Sequence, residues 1–192
     1  MTLPKLPANR TYRQSIAALP AGHGHARRPR ASVSGAEFRQ ALGRLAAGTS
    51  IVTTFDQEGQ KLGLTATAVT ALSLDPPLVL VCVDHRAKVL EHLRRSEHLA
   101  INVLSEGQHE VSAHFARRGQ NRFDGVDWYA GHEGVPLIPG VLASLECRMH
   151  RLVDAGDHAI LIAEVLGVKH RDGRPLVYYG SGYHKLHGVN GG

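Results

Sequence analysis

The stretch Gly63-Leu-Thr-Ala-Thr-Ala-Val-Thr-Ala-Leu-Ser-Leu-Asp-Pro-Pro-Leu-Val-Leu-Val-Cys82 decides the fold prediction for this chain. A run of small and β-branched residues is followed by an Asp-Pro-Pro turn and a second apolar run, a pattern typical of two strands joined by a turn. Within the first run stand Thr65, Ala66, Thr67 and Ala68. Because these side chains leave the backbone open, we expect a flat ligand to lie against it and hydrogen-bond to its N–H and C=O groups. A strand buried on both faces is the alternative interpretation, and the pattern alone supports both about equally.

Strands dominate the rest of the chain, and there is no regular alternation of strand and helix. Ser34 and Glu37 form a predicted capping box at the start of a helix that ends near Gly48, with Phe38, Leu42 and Leu45 on one helical face. Further helices are predicted over 86–95 and 106–116, and a long loop over 117–140. Strands are predicted over 49–55, 61–74, 78–84, 99–104, 141–153, 158–169 and 175–179. This order favours a mainly β fold, an antiparallel barrel with a few peripheral helices.

A length of 192 residues fits one domain with a sizeable core. Residues 1–33 contain four prolines and no sustained apolar period, so we expect a disordered or extended basic arm there and a folded domain over 34–192. Six of the 22 Lys and Arg residues, and none of the 17 acidic residues, lie in the first 36 positions. The net charge of +5 is therefore a property of the arm, and nucleic-acid binding, which would rest on the arm alone, is the least favoured function.

Several features narrow the cellular setting and the chemistry. There is no run of 18 apolar residues, so no membrane span is expected. Cys82 and Cys147 lie in apolar runs and are expected to be buried free thiols, which fits a cytoplasmic protein. The 13 histidines show no metal-ligand spacing, and no Gly-x-Gly-x-x-Gly motif occurs, so neither a metal site nor a Rossmann domain is predicted.

The run from Gly63 to the Asp-Pro-Pro turn resembles the signature of the flavin reductase family, the small partners of two-component flavin monooxygenases. The resemblance continues around Phe115 and in Gly156-Asp157-His158, and covers roughly residues 34–186. It implies an FMN-binding split β-barrel that forms a homodimer, with the flavin near the subunit interface. It also implies an NAD(P)H:flavin oxidoreductase in which the nicotinamide C4 gives a hydride to flavin N5. Reduced FMN or FAD would then pass to a partner monooxygenase.

The resemblance assigns the flavin ring to the small-residue run, where Thr65 to Ala68 would hydrogen-bond to its polar edge. Asp84-His85-Arg86-Ala87-Lys88 stands at a strand end and a helix start, where free N–H groups suit a phosphate and Arg86 and Lys88 add positive charge. Family members often have small hydroxyl residues here, which this chain lacks, so an ionic phosphate contact is expected. The alternative is an exposed basic helix start.

The resemblance also assigns three further positions. His114-Phe115-Ala116-Arg117, followed by Arg122 where the family usually has Lys, would border the flavin and the nicotinamide. Phe115 is a cofactor-binding candidate whose ring also suits helix packing, and Arg117 is a candidate for the flavin phosphate or adenine. His158 is the catalytic candidate, facing the nicotinamide side of the flavin, unless it is only an exposed turn residue. Tyr183 would flank the dinucleotide pocket.

Two alternative functions remain open at this point. One is a split-barrel oxidase of the pyridoxamine-phosphate type, which keeps its flavin and oxidises an amine. The other is a flavin-binding protein without dinucleotide turnover. The small-residue run together with Gly-Asp-His favours the reductase. The residues distinguish neither FMN from FAD nor NADH from NADPH.

Overall fold

The computed structural model describes residues 32–117 and 122–188, so nearly all of the predicted N-terminal arm lies outside the described residues. The helices are α1 (Gly35–Leu42), α2 (Val89–Leu93) and α3 (His109–Ala116). The strands of the main sheet are β2 (Ser50–Phe55), β3 (Lys61–Ala66), β4 (Val69–Leu74), β5 (Pro77–Asp84), β6 (His98–Val103), β9 (Ala143–Ala155) and β10 (His158–His170). The short strands are β1 (Ala47–Gly48), β7 (Tyr129–Ala130), β8 (Pro136–Leu137), β11 (Val177–Tyr179) and β12 (Gly182–His184).

The main sheet is antiparallel, with the strand order β3-β2-β6-β9-β10-β5-β4. Its two edge strands, β3 and β4, follow each other in the chain and are joined by Thr67 and Ala68 alone. The chain from Ala66 to Val69 spans at most about 11 Å, so the sheet must roll until its edges come close together. The result is an open antiparallel barrel with a gap at this connection, which confirms the predicted fold class.

The prediction of a single strand over 61–74 is wrong, because Thr67 and Ala68 divide it into β3 and β4 at opposite edges of the sheet. The Asp-Pro-Pro turn lies between β4 and β5, which pair as neighbours as the sequence predicted. Two helices are shorter than predicted: α2 covers Val89–Leu93 within the predicted 86–95, and α3 covers His109–Ala116 within the predicted 106–116. Of the short strands outside the main sheet, β11 was predicted over 175–179, whereas β1, β7, β8 and β12 were not predicted.

The barrel interior is packed with aliphatic side chains from alternate strand positions. In β5, Val79, Val81 and Val83 are buried, which is the period of two expected of a strand with one face on the core. Helix α2 closes the barrel with the buried Val89, Leu90 and Leu93. Burial of each such side chain contributes about 1.5–3 kcal/mol, so this interior is the main source of the stability of the fold.

A second apolar cluster lies outside the barrel, between β2, α3 and the loops that follow. It consists of Ile51, Leu104, Phe115, Phe123, Ile138, Val141 and Leu176. The Phe115 ring packs directly on β3, where a Cβ at Gly63 would come within 2.6 Å of Phe115 Cε1. Helix α3 therefore approaches this strand as closely as it does only because residue 63 has no side chain.

Helix α1 differs from its prediction in length and surroundings. It ends at Leu42 rather than near Gly48, and none of its residues is buried. Its apolar face, with Phe38 59% exposed and Leu42 48% exposed, continues to Leu45, which is 67% exposed. This face therefore has no apolar partner within the described part of one chain. None of the described helices is long and apolar enough to cross a membrane.

Candidate functional site

A pocket of about 530 Å³ lies at the gap of the barrel, where the β3–β4 connection faces the end of β5 and the start of α2. It brings together most of the residues predicted from the sequence. Those lining it are Thr65, Ala66, Thr67, Ala68, Arg86, Lys88, Phe115 and His158. Arg117 and Tyr183 are not part of the lining. The lining also includes Asp84 and Arg122, which stand in predicted site segments without a role of their own, and Cys82, which no prediction assigned to the site.

The side chains of the small-residue run differ in their exposure to solvent. Ala66 is buried among the core residues of the barrel, whereas Thr67 and Ala68 are exposed at the pocket. The Thr65 hydroxyl donates to the carbonyl of Ser112 on α3 at 2.6 Å, which ties this wall to the helix. The first residues of the run therefore build the core, and its last two form an open wall at the pocket. The contact of a flat ligand with this wall stays a prediction.

Phe115 and Arg122 also line the pocket, close to β3. Phe115 is fully buried and packs edge-on against Phe123, with ring centroids 5.1 Å apart, so its ring has the helix-packing role. Arg122 Nη1 donates to the Gly63 carbonyl at 2.8 Å. Partial burial lowers the pKa of Arg122, and no carboxylate among the described residues pairs with it. A half-buried cation without a counter-charge favours an anionic ligand beside it. The sequence signal for this position was the Arg in place of the usual Lys.

Arg86 is held by a carboxylate at the end of β5. Its Nε donates to Asp84 Oδ1 at 3.0 Å, and its Nη2 contacts Asp84 Oδ2. The backbone N–H of Arg86 donates to the same Oδ1 at 2.8 Å. These hydrogen bonds from Arg86 hold the pKa of Asp84 far below its usual range. Lys88, which is exposed at the pocket, has no such partner among the described residues.

His158 begins β10 and lies opposite Asp84 in the sheet register. Its Nδ1 is 2.7 Å from Asp157 Oδ1, and this hydrogen bond lowers the pKa of Asp157. Because an ionised carboxylate only accepts, Nδ1 carries the proton of that bond. The second nitrogen, Nε2, is then the one available to a ligand in the pocket. The Gly-Asp-His turn thus presents an oriented imidazole at the pocket edge.

Tyr183 and Arg117 lie near the pocket without lining it. The Tyr183 hydroxyl donates to Ser112 Oγ at 2.9 Å, and Ser112 is fully buried. Since the carbonyl of Ser112 accepts from Thr65, Tyr183 braces the wall through α3 rather than contacting the pocket. Arg117 is exposed at the end of α3. The ligand-binding roles of both residues stay predictions.

The two cysteines have different environments. Cys147 is fully buried, and burial together with the neighbouring Glu146 raises the pKa of its thiol to about 12. Cys82 is only half-buried and lies in the wall of the pocket, so the expectation of a buried thiol is wrong for this residue. Its N–H donates to the Ala68 carbonyl at 3.0 Å, which fixes the end of the small-residue run against β5. Both thiols are free.

Comparison with known proteins places this architecture in a family. Residues 42–187 match the flavin reductase like domain. The FMN reductase (NADH) SmoA of Agrobacterium fabrum is 44% identical over 146 residues, which cover 76% of this chain and 83% of that protein. The reductase component of the flavin-dependent trigonelline monooxygenase of Acinetobacter baylyi is 39% identical over 147 residues, covering 77% of this chain and 47% of that longer protein.

A solved structure agrees with these sequence relatives. The NADH:FAD oxidoreductase SgcE6 of Streptomyces globisporus, in complex with NAD and FAD fragments, superposes with a TM-score of 0.77 at 34% identity. The match covers 81% of this chain and 94% of that chain. The family and the fold predicted from the small-residue run and the Gly-Asp-His turn are therefore confirmed. With a domain match over residues 42–187 and relatives of this similarity, the chain belongs to the flavin reductase family.

Proposed function

We propose that the protein uses NADH to reduce FMN or FAD in the pocket at the barrel gap and releases the reduced flavin to a partner monooxygenase. The observation that carries the proposal is the open wall of Thr67 and Ala68 in one pocket with the oriented imidazole of His158. The relatives support it, since SmoA is an NADH-dependent FMN reductase and the trigonelline relative is a monooxygenase reductase component.

The pocket suits a flavin in size, shape and charge. Its volume of about 530 Å³ lies in the range of small-molecule sites, and the wall at Thr67 and Ala68 has no bulky side chain to exclude a planar ring. Lys88 and Arg122 are cations without a carboxylate partner among the described residues, which suits the phosphate of the ligand. When bound, the flavin accepts a hydride from the nicotinamide and carries the two electrons onward.

The protein's own residues supply binding and orientation. Thr67 and Ala68 would hold one face of the ring, and Phe115 behind Gly63 keeps that wall rigid. His158 would receive the nicotinamide dinucleotide through Nε2, while Asp157 fixes the imidazole from the other side. Hydride transfer depends steeply on the alignment of donor and acceptor, so such positioning contributes directly to the rate.

The test is a steady-state assay of NADH oxidation by the purified protein with and without added flavin. We expect NADH consumption to rise at least about tenfold when FMN or FAD is supplied, because the flavin is the electron acceptor. All four pairs of FMN or FAD with NADH or NADPH should be assayed, and NADH is expected to be preferred. Folded protein that consumes no reduced nicotinamide in the presence of either flavin contradicts the proposal.

We also propose that the chain forms a homodimer. The support is the exposed apolar face of α1 together with exposed leucines of β4, Leu72 at 46% and Leu74 at 93%. A single chain leaves these side chains in water, and a second copy would cover them. Sedimentation equilibrium should give twice the mass of one chain, and a monomer at micromolar concentration would refute the dimer.

The two free thiols support a cytoplasmic location, which cell fractionation would test.

A further inference from the structure

Three cationic side chains line the pocket, and they differ in their counter-charges. Arg86 forms an ion pair with Asp84, a carboxylate that also lines the pocket. Lys88 and Arg122 have no carboxylate partner among residues 32–117 and 122–188. Of the two cations just before α2, Arg86 has more hydrogen-bond donors than Lys88, yet its charge is already balanced by Asp84.

The geometry of this pair leaves only part of the Arg86 guanidinium for a ligand. Two side-chain nitrogens and the backbone N–H of Arg86 are directed at the Asp84 carboxylate, with Nε 3.0 and 3.1 Å from its two oxygens. The pair takes the Nε and Nη2 side of the guanidinium, so an arriving phosphate is left with the Nη1 side. There the phosphate would also meet the negative charge of Asp84.

Asp84 is placed to act on the ligand and not only on Arg86. Its side chain is 29% exposed, and in the sheet it lies opposite His158, across the same pocket edge. Among the described residues that line the pocket, Asp84 is the one with an acidic side chain. The carboxylates of two other ion pairs, Arg94–Asp154 and Arg148–Glu164, lie outside the lining.

We propose that Asp84 is a specificity-determining residue that weakens the binding of the flavin phosphate by occupying Arg86, so that reduced flavin leaves the pocket readily. The proposal rests on the proposed function, in which the flavin is passed to another protein. Differences in affinity at one site arise mainly from dissociation rates, so a carboxylate that competes for the phosphate contact shortens the residence time of the flavin.

The test is Asp84→Asn in the full-length protein, with FMN and riboflavin titrated separately at low ionic strength. Asn keeps the size of the side chain and an Oδ1 that accepts the Arg86 backbone N–H, but it releases the guanidinium. We expect the Kd of FMN to fall roughly three- to tenfold, the gain of a charge-assisted contact at an exposed site. The Kd of riboflavin, which has no phosphate, should change less than about twofold. The FMN dissociation rate in stopped flow should fall by a factor similar to its Kd.

Two further variants sharpen the test. Glu164→Gln removes the same charge from the Arg148 pair outside the pocket and should leave both affinities unchanged. Arg86→Met in the otherwise unchanged protein should weaken FMN binding less than Lys88→Met does, because Asp84 balances the charge of Arg86 whereas Lys88 has no carboxylate partner among the described residues. Arg86→Met added to Asp84→Asn should cancel the gain. If Asp84→Asn does not fold, the comparison of Arg86→Met with Lys88→Met decides the question.

The proposal is overturned if Asp84→Asn binds FMN no more tightly than the unchanged protein, or if riboflavin gains as much as FMN. It is also overturned if Arg86→Met is as damaging as Lys88→Met. In each of these cases the unchanged protein still binds and reduces FMN, so the proposed function stands. If the unchanged protein binds no flavin at all, the proposed function fails and this inference fails with it.

Discussion

Replacing Ala68 with leucine should abolish flavin binding while leaving the fold intact. Ala68 is exposed at the pocket wall, so three added carbon atoms would occupy the space proposed for the ring. We expect the Kd of FMN to rise at least about 100-fold, which corresponds to roughly 2.7 kcal/mol. The free energy of unfolding should change by less than about 0.5 kcal/mol, because an exposed side chain has room in the folded state.

Fluorescence titration of FMN and thermal denaturation measure the two quantities. The matched control is Ala71→Leu, the same change at an exposed position of β4 outside the pocket, and it should bind FMN normally. Ala66→Leu is the less informative variant, because Ala66 packs in the core and overpacking there would cost about 1–3 kcal/mol. If Ala68→Leu binds FMN with unchanged affinity, the ring does not lie on this wall.

The second large effect is expected for His158→Ala. The imidazole is held by Asp157 at the pocket edge, where the nicotinamide would arrive after the flavin is bound. We expect the rate of flavin reduction by NADH to fall about 10- to 100-fold, since a misaligned donor transfers hydride slowly even when it binds. The Kd of FMN should stay within about twofold, because the proposed flavin contacts are made by Thr67, Ala68, Lys88 and Arg122 and not by this imidazole.

Stopped-flow reduction of enzyme-bound flavin at increasing NADH concentration separates the rate from the affinity for NADH. Asp157→Asn should produce a smaller loss of the same kind, because it leaves the imidazole in place but frees its orientation. His85→Ala is the control: this histidine pairs with Asp154 and is not part of the pocket lining. An unchanged reduction rate and unchanged NADH saturation in His158→Ala would leave His158 with the role of a turn residue.

The fold class could be predicted because the strongest signals in the amino-acid sequence are local. The Asp-Pro-Pro turn between two apolar runs specifies a hairpin, and the alternating valines of β5 specify which face is buried. The division between β3 and β4 was not predicted, because small residues continue across it without a Gly or Pro to mark a break. Only the rolling of the sheet, a long-range property, makes Thr67 and Ala68 a connection between its edges.

In the candidate site, too, some features could be predicted from the sequence, whereas contacts between distant residues could not. His158 and the small-residue wall were placed together through the resemblance to a family, and the structure brings them into one pocket. The pairing of Asp84 with Arg86 could not be predicted from residue types, because the pattern suggested a free cation at a helix start. Arg122 reaches Gly63 across 59 positions of sequence, and no local pattern predicts such a contact.

The contact between Gly63 and Phe115 has a consequence for how this sequence can vary. A methyl group at position 63 would overlap the ring at 2.6 Å, and the backbone carbonyl of Val52 lies 3.1 Å away on another side. Neither the strand backbone nor a fully buried ring can move aside cheaply in a close-packed interior. The two positions therefore constrain each other: a substitution at 63 becomes tolerable only after 115 has become smaller. Across descendants of this sequence the pair should change together, with glycine at 63 lost only where the aromatic ring has gone.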